Sequence, residues 1–340
     1  MSDALAGRFR EFAHAECAGS SPLYFALALG LADDPDVLEV ARHAAPGQPV
    51  PNLLFAAVHA LIARDAAHPL AACYADLTPD PAAPESAFPV FRDFVCARRD
   101  DIIALLRTRL VQTNEVRRSA YLFPACLFAA HLFTPRPLAL IEIGCSAGLN
   151  LLFDRYRYAY GDGETFGDPG SEVLITSMFT GARPAALGMA TPVIIQRIGL
   201  DLNVIDTTVP DEAAWLRALV WPEHHERRHL MDAALRRRRE VALDLRSGDG
   251  FAMFADVVGG IPAGTLPFIF HTHVANQISE AARQEFLGVI DRLGATRDVI
   301  HVGNNIWPHL HLTAYRDGQR MDMPLARTDG HARWIEWLQS

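Results

Sequence analysis

The stretch Pro137-Leu-Ala-Leu-Ile-Glu-Ile-Gly-Cys-Ser-Ala-Gly-Leu-Asn150 decides how the chain folds. Leu138–Ile143 is a short apolar run ending at a glycine, as a buried parallel strand does before a tight turn. The residues after it fit two templates. As E-x-G-x-x-x-G from Glu142, they form a loop suited to a nucleotide-like cofactor. As G-x-S-x-G from Gly144 to Gly148, they form the elbow that presents a serine nucleophile in a hydrolase.

Upstream sequence favours the first template. A hydrolase elbow follows a half-built sheet and an oxyanion-hole loop, yet residues 1–133 read as helices. Ser21-Pro22 opens an apolar helix through Leu31, and Asn52–Ala63 carries Leu53, Leu54, Ala57, Val58 and Leu61 on one face. After the break at Pro79–Pro84, one helix is expected from Phe91 to about Leu110 and another from about Glu115 to Phe133. The glycine loop therefore follows the first strand of its sheet, where nucleoside cofactors bind with help from a helix N-terminus. Gly144 is expected to make the turn. Ser146, Ala147 and Gly148 are small enough for a cofactor to approach the backbone.

Downstream, apolar runs recur at Val193–Ile198, Val241–Leu245, Leu266–Phe270 and Val299–Val302. Between the last two, Ser279–Leu293 has helical spacing and closes at Gly294. Strand, helix and strand joined by short links imply a parallel sheet. The last forty residues suggest an antiparallel edge turning at Asp317-Gly318. The expected fold is α/β: an all-helical cap or substrate domain over 1–133, then a doubly wound sheet domain over 134–340. A β-rich insertion is expected at about 156–190.

The chain has 340 residues, half of them hydrophobic, and a formal charge of −9. No net basic field draws it to nucleic acid or an anionic membrane. It contains no lysine, which excludes a Schiff-base lysine and a Walker-type phosphate lysine. The N-terminus lacks the pattern of a secretory signal, and the most apolar segments are too short to span a bilayer. Five cysteines without C-x-x-C spacing suit a reduced, cytoplasmic protein.

Glu142 narrows the cofactor. A carboxylate at the strand's end repels a pyrophosphate and attracts an amine. An ammonium-bearing nucleoside without phosphate satisfies both constraints, and S-adenosylmethionine is the common cofactor of that kind. IEIGCSAG resembles the first motif of class I S-adenosylmethionine-dependent methyltransferases, with Ser146 where a middle glycine usually stands. GCSAGLNLLFDRYRY and VQTNEVRR (Val111–Arg118) also resemble an uncharacterised bacterial family, a domain of unknown function, across nearly the whole chain.

The methyltransferase resemblance implies further contacts. Glu142, Gly144, Ser146 and Gly148 would hold the amino-acid part, Asp201 the ribose, and Asp249 would lie near the adenine. His271, Glu115 or Asn114 would deprotonate or orient the acceptor, expected to be a small-molecule substrate. A protein that keeps the cradle without turnover is the alternative from another class.

Other readings of these residues are blander. Ser146 is expected to cap the following helix, Thr113 or Asn114 to cap the one before the strand, and Cys145 to be a packed side chain. His271 and His273 share one side if their strand continues, which would suit a metal-dependent hydrolase, as would His309-x-His311. His225-Glu-Arg-Arg-His229 matches H-E-x-x-H, but its two arginines disfavour zinc and the stretch reads as a solvated helix start. Arg236–Arg239 reads as a solvated or ion-paired surface.

Overall fold

A computed structural model of the chain describes residues 2–112 and 114–339. The chain divides into two compact units: Met1–Thr113 with Val209–His229, and Asn114–Thr208 with Leu230–Ser340.

The first unit is helical throughout its described residues, with α-helices Ser2–Phe12, Pro22–Ala32, Pro35–Ala41, Val50–Ile62, Ala87–Ala97, Arg99–Thr108 and Pro210–Ala218. Side-chain caps set two starts. Ser21 Oγ accepts from Tyr24 N at 3.1 Å, and Asp34 Oδ1 accepts from Asp36 N and Val37 N at 3.0 Å each. The single helix expected from Phe91 to Leu110 is two. Arg98 leaves helical geometry (φ −106°, ψ 24°), and Asp100 and Asp101 favour a fresh N-terminus after it. Phe9, Leu27, Leu54, Phe55, Phe91 and Ile102 are core residues, and Tyr24 stacks on Phe55 at 4.6 Å.

Residues 209–229 belong to this helical unit, although they lie far along the sequence among the strands. Trp215 and Ala218 are buried in its core, and Trp215 Nε1 donates to Leu110 O at 2.9 Å. Glu223 accepts from Ser21 Oγ at 2.7 Å and from Leu23 N at 2.9 Å. Arg228, inside the H-E-x-x-H match, pairs with Asp76, while His225 and His229 are exposed.

The second unit holds all the described strands: β1 (Leu138–Ile143), β2 (Arg157–Ala159), β3 (Thr165–Gly167), β4 (Leu174–Thr176), β5 (Ile194–Asp201), β6 (Asp244–Ser247), β7 (Leu266–His271), β8 (Val299–Gly303), β9 (Leu310–Arg316), β10 (Gln319–Thr328) and β11 (Ile335–Trp337). Eight of them form one sheet in the order β11-β10-β9-β8-β7-β1-β5-β6. The ladders from β6 to β8 are parallel, and those from β8 to β11 are antiparallel. β2, β3 and β4 make a separate three-stranded sheet within 157–176.

β1 is an interior strand of the large sheet, between β7 and β5, and is buried along its length. Ile141 and Ile143 face helices Gly250–Gly259 and Glu280–Gly294, packing with Phe254, Val258, Phe286 and Ile290. The alternate positions, including Glu142, face the other way. There the Leu149–Arg155 turn packs Phe153 against Phe268 and Phe270, and helix Ser119–His131 packs over that turn. This packing places helix Ser119–His131 with the sheet, so the division falls at 113/114 and not at 133/134.

Replacing Trp215 by Ala should lower the stability of the helical unit by about 3–5 kcal/mol, read from denaturant unfolding followed by far-UV circular dichroism.

Candidate functional site

The loop after β1 turns through left-handed backbone at Gly144 (φ 77°), Ser146 (φ 51°) and Gly148 (φ 73°). Its N–H groups are largely used within the chain. Gly144 N and Cys145 N donate to Leu200 O at 2.8 and 3.3 Å, and Gly148 N donates to Cys145 O at 2.7 Å. Ser146 N donates to Asp201 Oδ2 at 2.7 Å. A Cβ on Gly144 would meet Val274 Cγ2 at 2.1 Å, and one on Gly148 would meet Leu243 Cδ1 at 2.7 Å. The smallness of the two glycines therefore serves contact with the protein's own side chains. The expected bare backbone is not present on those faces.

Two further expectations change here. The loop leads into a seven-residue 3-10 turn, Leu149–Arg155, which offers no α-helix N-terminus. Ser146 does not cap it: Ser146 Oγ is buried and has no hydrogen-bond partner among the described residues. Left-handed backbone at a serine is a feature shared with hydrolase elbows. Among the described residues no histidine hydrogen-bonds Ser146 Oγ, as the base of such an elbow would.

Around Glu142 the interior is polar. The Glu142 side chain is 1 % exposed, and Oε2 has no partner among the described residues. Burial pushes its carboxyl well above the usual carboxylate range, and the nearby Asp201 charge adds to this. A hydrogen bond with Asn150 and the field of Arg118 pull it partly back. Asn150 Oδ1 in turn accepts from Ser119 Oγ at 3.0 Å. Asn114, Glu115, Arg117, Arg118 and Ser119 are all buried. Asn114 Nδ2 reaches Cys145 O at 3.4 Å, and Glu115 Oε2 pairs with His331 Nδ1 at 2.8 Å. Glu115 also accepts from Arg117 N at 3.3 Å, which starts a short 3-10 turn. Thr113, named with Asn114 as a cap, lies outside the described residues.

Asp201 ends β5, the strand beside β1, and its two oxygens accept from Ser146 N and from Asn203 N at 2.9 Å. Asp249 caps helix Gly250–Gly259, accepting from Phe251 N at 3.0 Å. Cys145 is packed, and burial pushes its thiol far up, so it stays protonated.

His271 lies apart from this group. The parallel ladder pairs Glu142 with Phe270 and Ile143 with His271, so Glu142 and His271 project to opposite faces of the sheet. The His271 ring packs on Phe286 at 5.8 Å and His301 at 5.2 Å, fully buried. β7 stops at His271 and the chain turns left-handed at His273 (φ 55°), so the two histidines do not share a side. His309 Nε2 lies 3.1 Å from His311 Nδ1, and His311 Nε2 lies 3.3 Å from Asp322 Oδ1. Among the described residues, no three His, Cys, Asp or Glu side chains are grouped to hold a metal ion.

These polar groups bear on the comparison with known proteins. A family of uncharacterised proteins conserved in bacteria (DUF2332) matches residues 6–337. The chain belongs to this family. No curated protein and no solved structure matches it. The match runs through both units, so the family is defined by the helical unit together with the sheet.

Several members of the polar cluster carried no sequence signal strong enough to name them. Asn304 sits just past β8, where its Oδ1 accepts from His273 N at 2.8 Å and its Nδ2 reaches Tyr121 Oη at 3.4 Å. Asn150 and Ser119 read as ordinary turn and helix residues, and His331 stands near the end of the chain. The usable signal was polar residues directly after parallel strands, which is where ligands of such sheets bind.

Two measurements follow from this geometry. Gly144→Ala should cost about 1–3 kcal/mol of stability, and adding Val274→Ala should restore part of it in a double-mutant cycle. Burial lowers His271 to about 4, so the folded state resists protonation that the unfolded chain accepts near its ordinary value. This contribution is present above about pH 6.5 and is lost as pH falls toward 4. His271→Leu should remove about 3 kcal/mol of pH dependence across that window, seen in urea midpoints at several pH values.

Proposed function

We propose that the sheet-bearing unit binds S-adenosylmethionine at the C-terminal ends of β1 and β5 and transfers its methyl group to a small acceptor. One observation carries this reading: Glu142 is sealed in the interior with Oε2 unpartnered, two residues before the turn at Gly144. A carboxyl held neutral by burial becomes a strong site once an ammonium arrives, because the pair supplies the missing counter-charge.

The strand order supports the location. Counted in chain order within the large sheet, β6-β5-β1-β7-β8 is third, second, first, fourth, fifth, the order of doubly wound, Rossmann-like sheets. Their ligands lie outside the carboxyl ends where the order reverses, here between β1 and β7. The class I methyltransferase-like fold and its cofactor are part of this proposal.

The residues fit that cofactor in part. Glu142 suits its amine. Asp201 ends β5, where its carboxylate holds Ser146 N and Asn203 N, the place such sheets give to the ribose hydroxyls. Asp249 follows β6, on the adenine side of such sheets. The loop's own N–H groups fit less well, being used internally, so recognition would rest on side chains. The cofactor supplies an electrophilic methyl on a sulfonium. The protein's share is positioning, which can be worth ~7–11 kcal/mol. Asn114 and Glu115 are on Glu142's side of the sheet and would orient the acceptor; His271 has no such role from the opposite face.

A non-catalytic binder is the second reading, favoured by the internally satisfied loop and the displacement of His271. Calorimetric titration with S-adenosylmethionine tests the shared step. Binding should release a proton from Glu142, seen as a heat that varies with the buffer's ionisation enthalpy, and Glu142→Gln should abolish that release and weaken affinity at least about tenfold. Unchanged affinity in Glu142→Gln would remove the proposed role. Consumption of the cofactor over an acceptor panel then separates transferase from binder.

A further inference from the structure

Two arginines of the sheet-bearing unit are equally buried, each 8 % exposed, and are treated very differently. Arg197 has a full set of partners: both terminal nitrogens meet Asp154 at 2.6 Å, and one also reaches Leu151 O. Arg118 has one, Nε donating to Gly330 O at 3.2 Å. Its guanidinium forms no ion pair among the described residues, and its terminal nitrogens make no hydrogen bond there.

An arginine this little exposed, with one hydrogen bond and no counter-charge among the described residues, is rarely kept for structural reasons. Arg118 is close enough to Glu142, Tyr121 and His273 to influence their titration. It therefore belongs to the polar cluster at the strand ends. His273 stands beside it: the ring lies 3.7 Å from where a Cβ on Gly330 would be. Burial, with Arg118 next, lowers His273 to about 4, which leaves a neutral imidazole beside the guanidinium at pH 7.

We propose that Arg118 binds a carboxylate, so that the ligand of this site carries one. A guanidinium fork matches a carboxylate in two parallel hydrogen bonds. The neighbouring Glu115 and Asp201 disfavour a dianionic phosphate, and a singly charged carboxylate matches the one fork of Arg118. The carboxylate belongs either to the amino-acid end of the cofactor or to the acceptor. The assignment rests on the proposed function only for that choice.

The test uses the full chain, with propionate and its neutral isostere propionamide as probes, and with S-adenosylmethionine and 5′-methylthioadenosine, which lacks a carboxylate. Propionate should raise the Tm and propionamide should not. Arg118→Met should weaken propionate binding roughly tenfold or more, with Arg118→Lys between, since the fork is lost and the charge kept. The ligand-free Tm of Arg118→Met should be unchanged or higher, whereas a structural arginine would lower it. If Arg118→Met weakens S-adenosylmethionine but spares 5′-methylthioadenosine, the carboxylate is the cofactor's. If it weakens propionate alone, the carboxylate is the acceptor's. Propionate binding without any S-adenosylmethionine binding sinks the cofactor reading and leaves this one standing. Equal effects of propionate and propionamide, or full propionate affinity in Arg118→Met, overturn it. Should Arg118→Met not fold, full affinity in Arg118→Lys does the same.

Discussion

The path of the main chain from Ile143 to Gly148 governs everything around it. To reverse direction in so few residues, the backbone turns left-handed at Gly144, Ser146 and Gly148. That path persists because its N–H groups end on β5, at Leu200 O and at the Asp201 carboxylate. The same bonds hold β1 and β5 at a fixed height relative to each other. Val274 and Leu243 then fill the faces that the glycines leave open. A serine at a left-handed position costs of order 1–3 kcal/mol. The surrounding bonds must over-determine it, and here they do.

The consequence of that rigid turn is a polar interior where an apolar one would be more stable. Glu142 lies on an interior strand of the sheet, and among the described residues neither its Oε2 nor the Oγ of Ser146 has a partner. Asn150, Ser119, Asn114 and Glu115 are hydrogen-bonded into the same region, which still leaves those two oxygens of Glu142 and Ser146 unmatched among the described residues. Partly satisfied networks destabilise a fold. Their natural explanation is a ligand, because departures from stability rules concentrate at functional sites. The other face of the sheet offers an instructive contrast. His271 and His301 are also buried without hydrogen bonds, but they pack edge-on against Phe286 in an apolar layer and are kept neutral by it.

The sequence made the sheet legible where one physical rule dominated. Leu138–Ile143 could only be a buried strand, and the β7–helix–β8 crossover followed from hydrophobic spacing alone. It was less informative where tertiary contacts overrode local pattern. Residues 209–229 read as part of the α/β half, yet Trp215 and Glu223 tie them to the helical unit through bonds to Leu110 and Ser21. Periodicity reports which face of a helix is apolar but not which core receives it. The glycine loop shows the same limit. Small residues signal close approach, but not whether the approaching atoms belong to a ligand or, as here, to Val274. The placement of His271 was illegible for a simpler reason: its parity with Glu142 across the β1–β7 ladder depends on register, which no single strand encodes.

Charge separates the surviving candidates more sharply than shape does. The whole chain lacks lysine, so every cation it presents to a ligand is a guanidinium, an imidazolium or the chain terminus. Most of its arginines are committed to carboxylates at the surface, where such pairs contribute little. Against that background, Arg118 and Glu142, each short of partners among the described residues and close enough to feel each other's field, are the pair that the proposed zwitterion would complete. On the proposed function, an amine and a carboxylate on one small molecule would give Glu142, ionised as the ligand binds, and Arg118 their counter-charges together, and a purely cationic or purely anionic ligand would leave one of them unmatched. The proposed amino-acid-bearing ligand at the ends of β1 and β5 is the one that would answer both side chains at once.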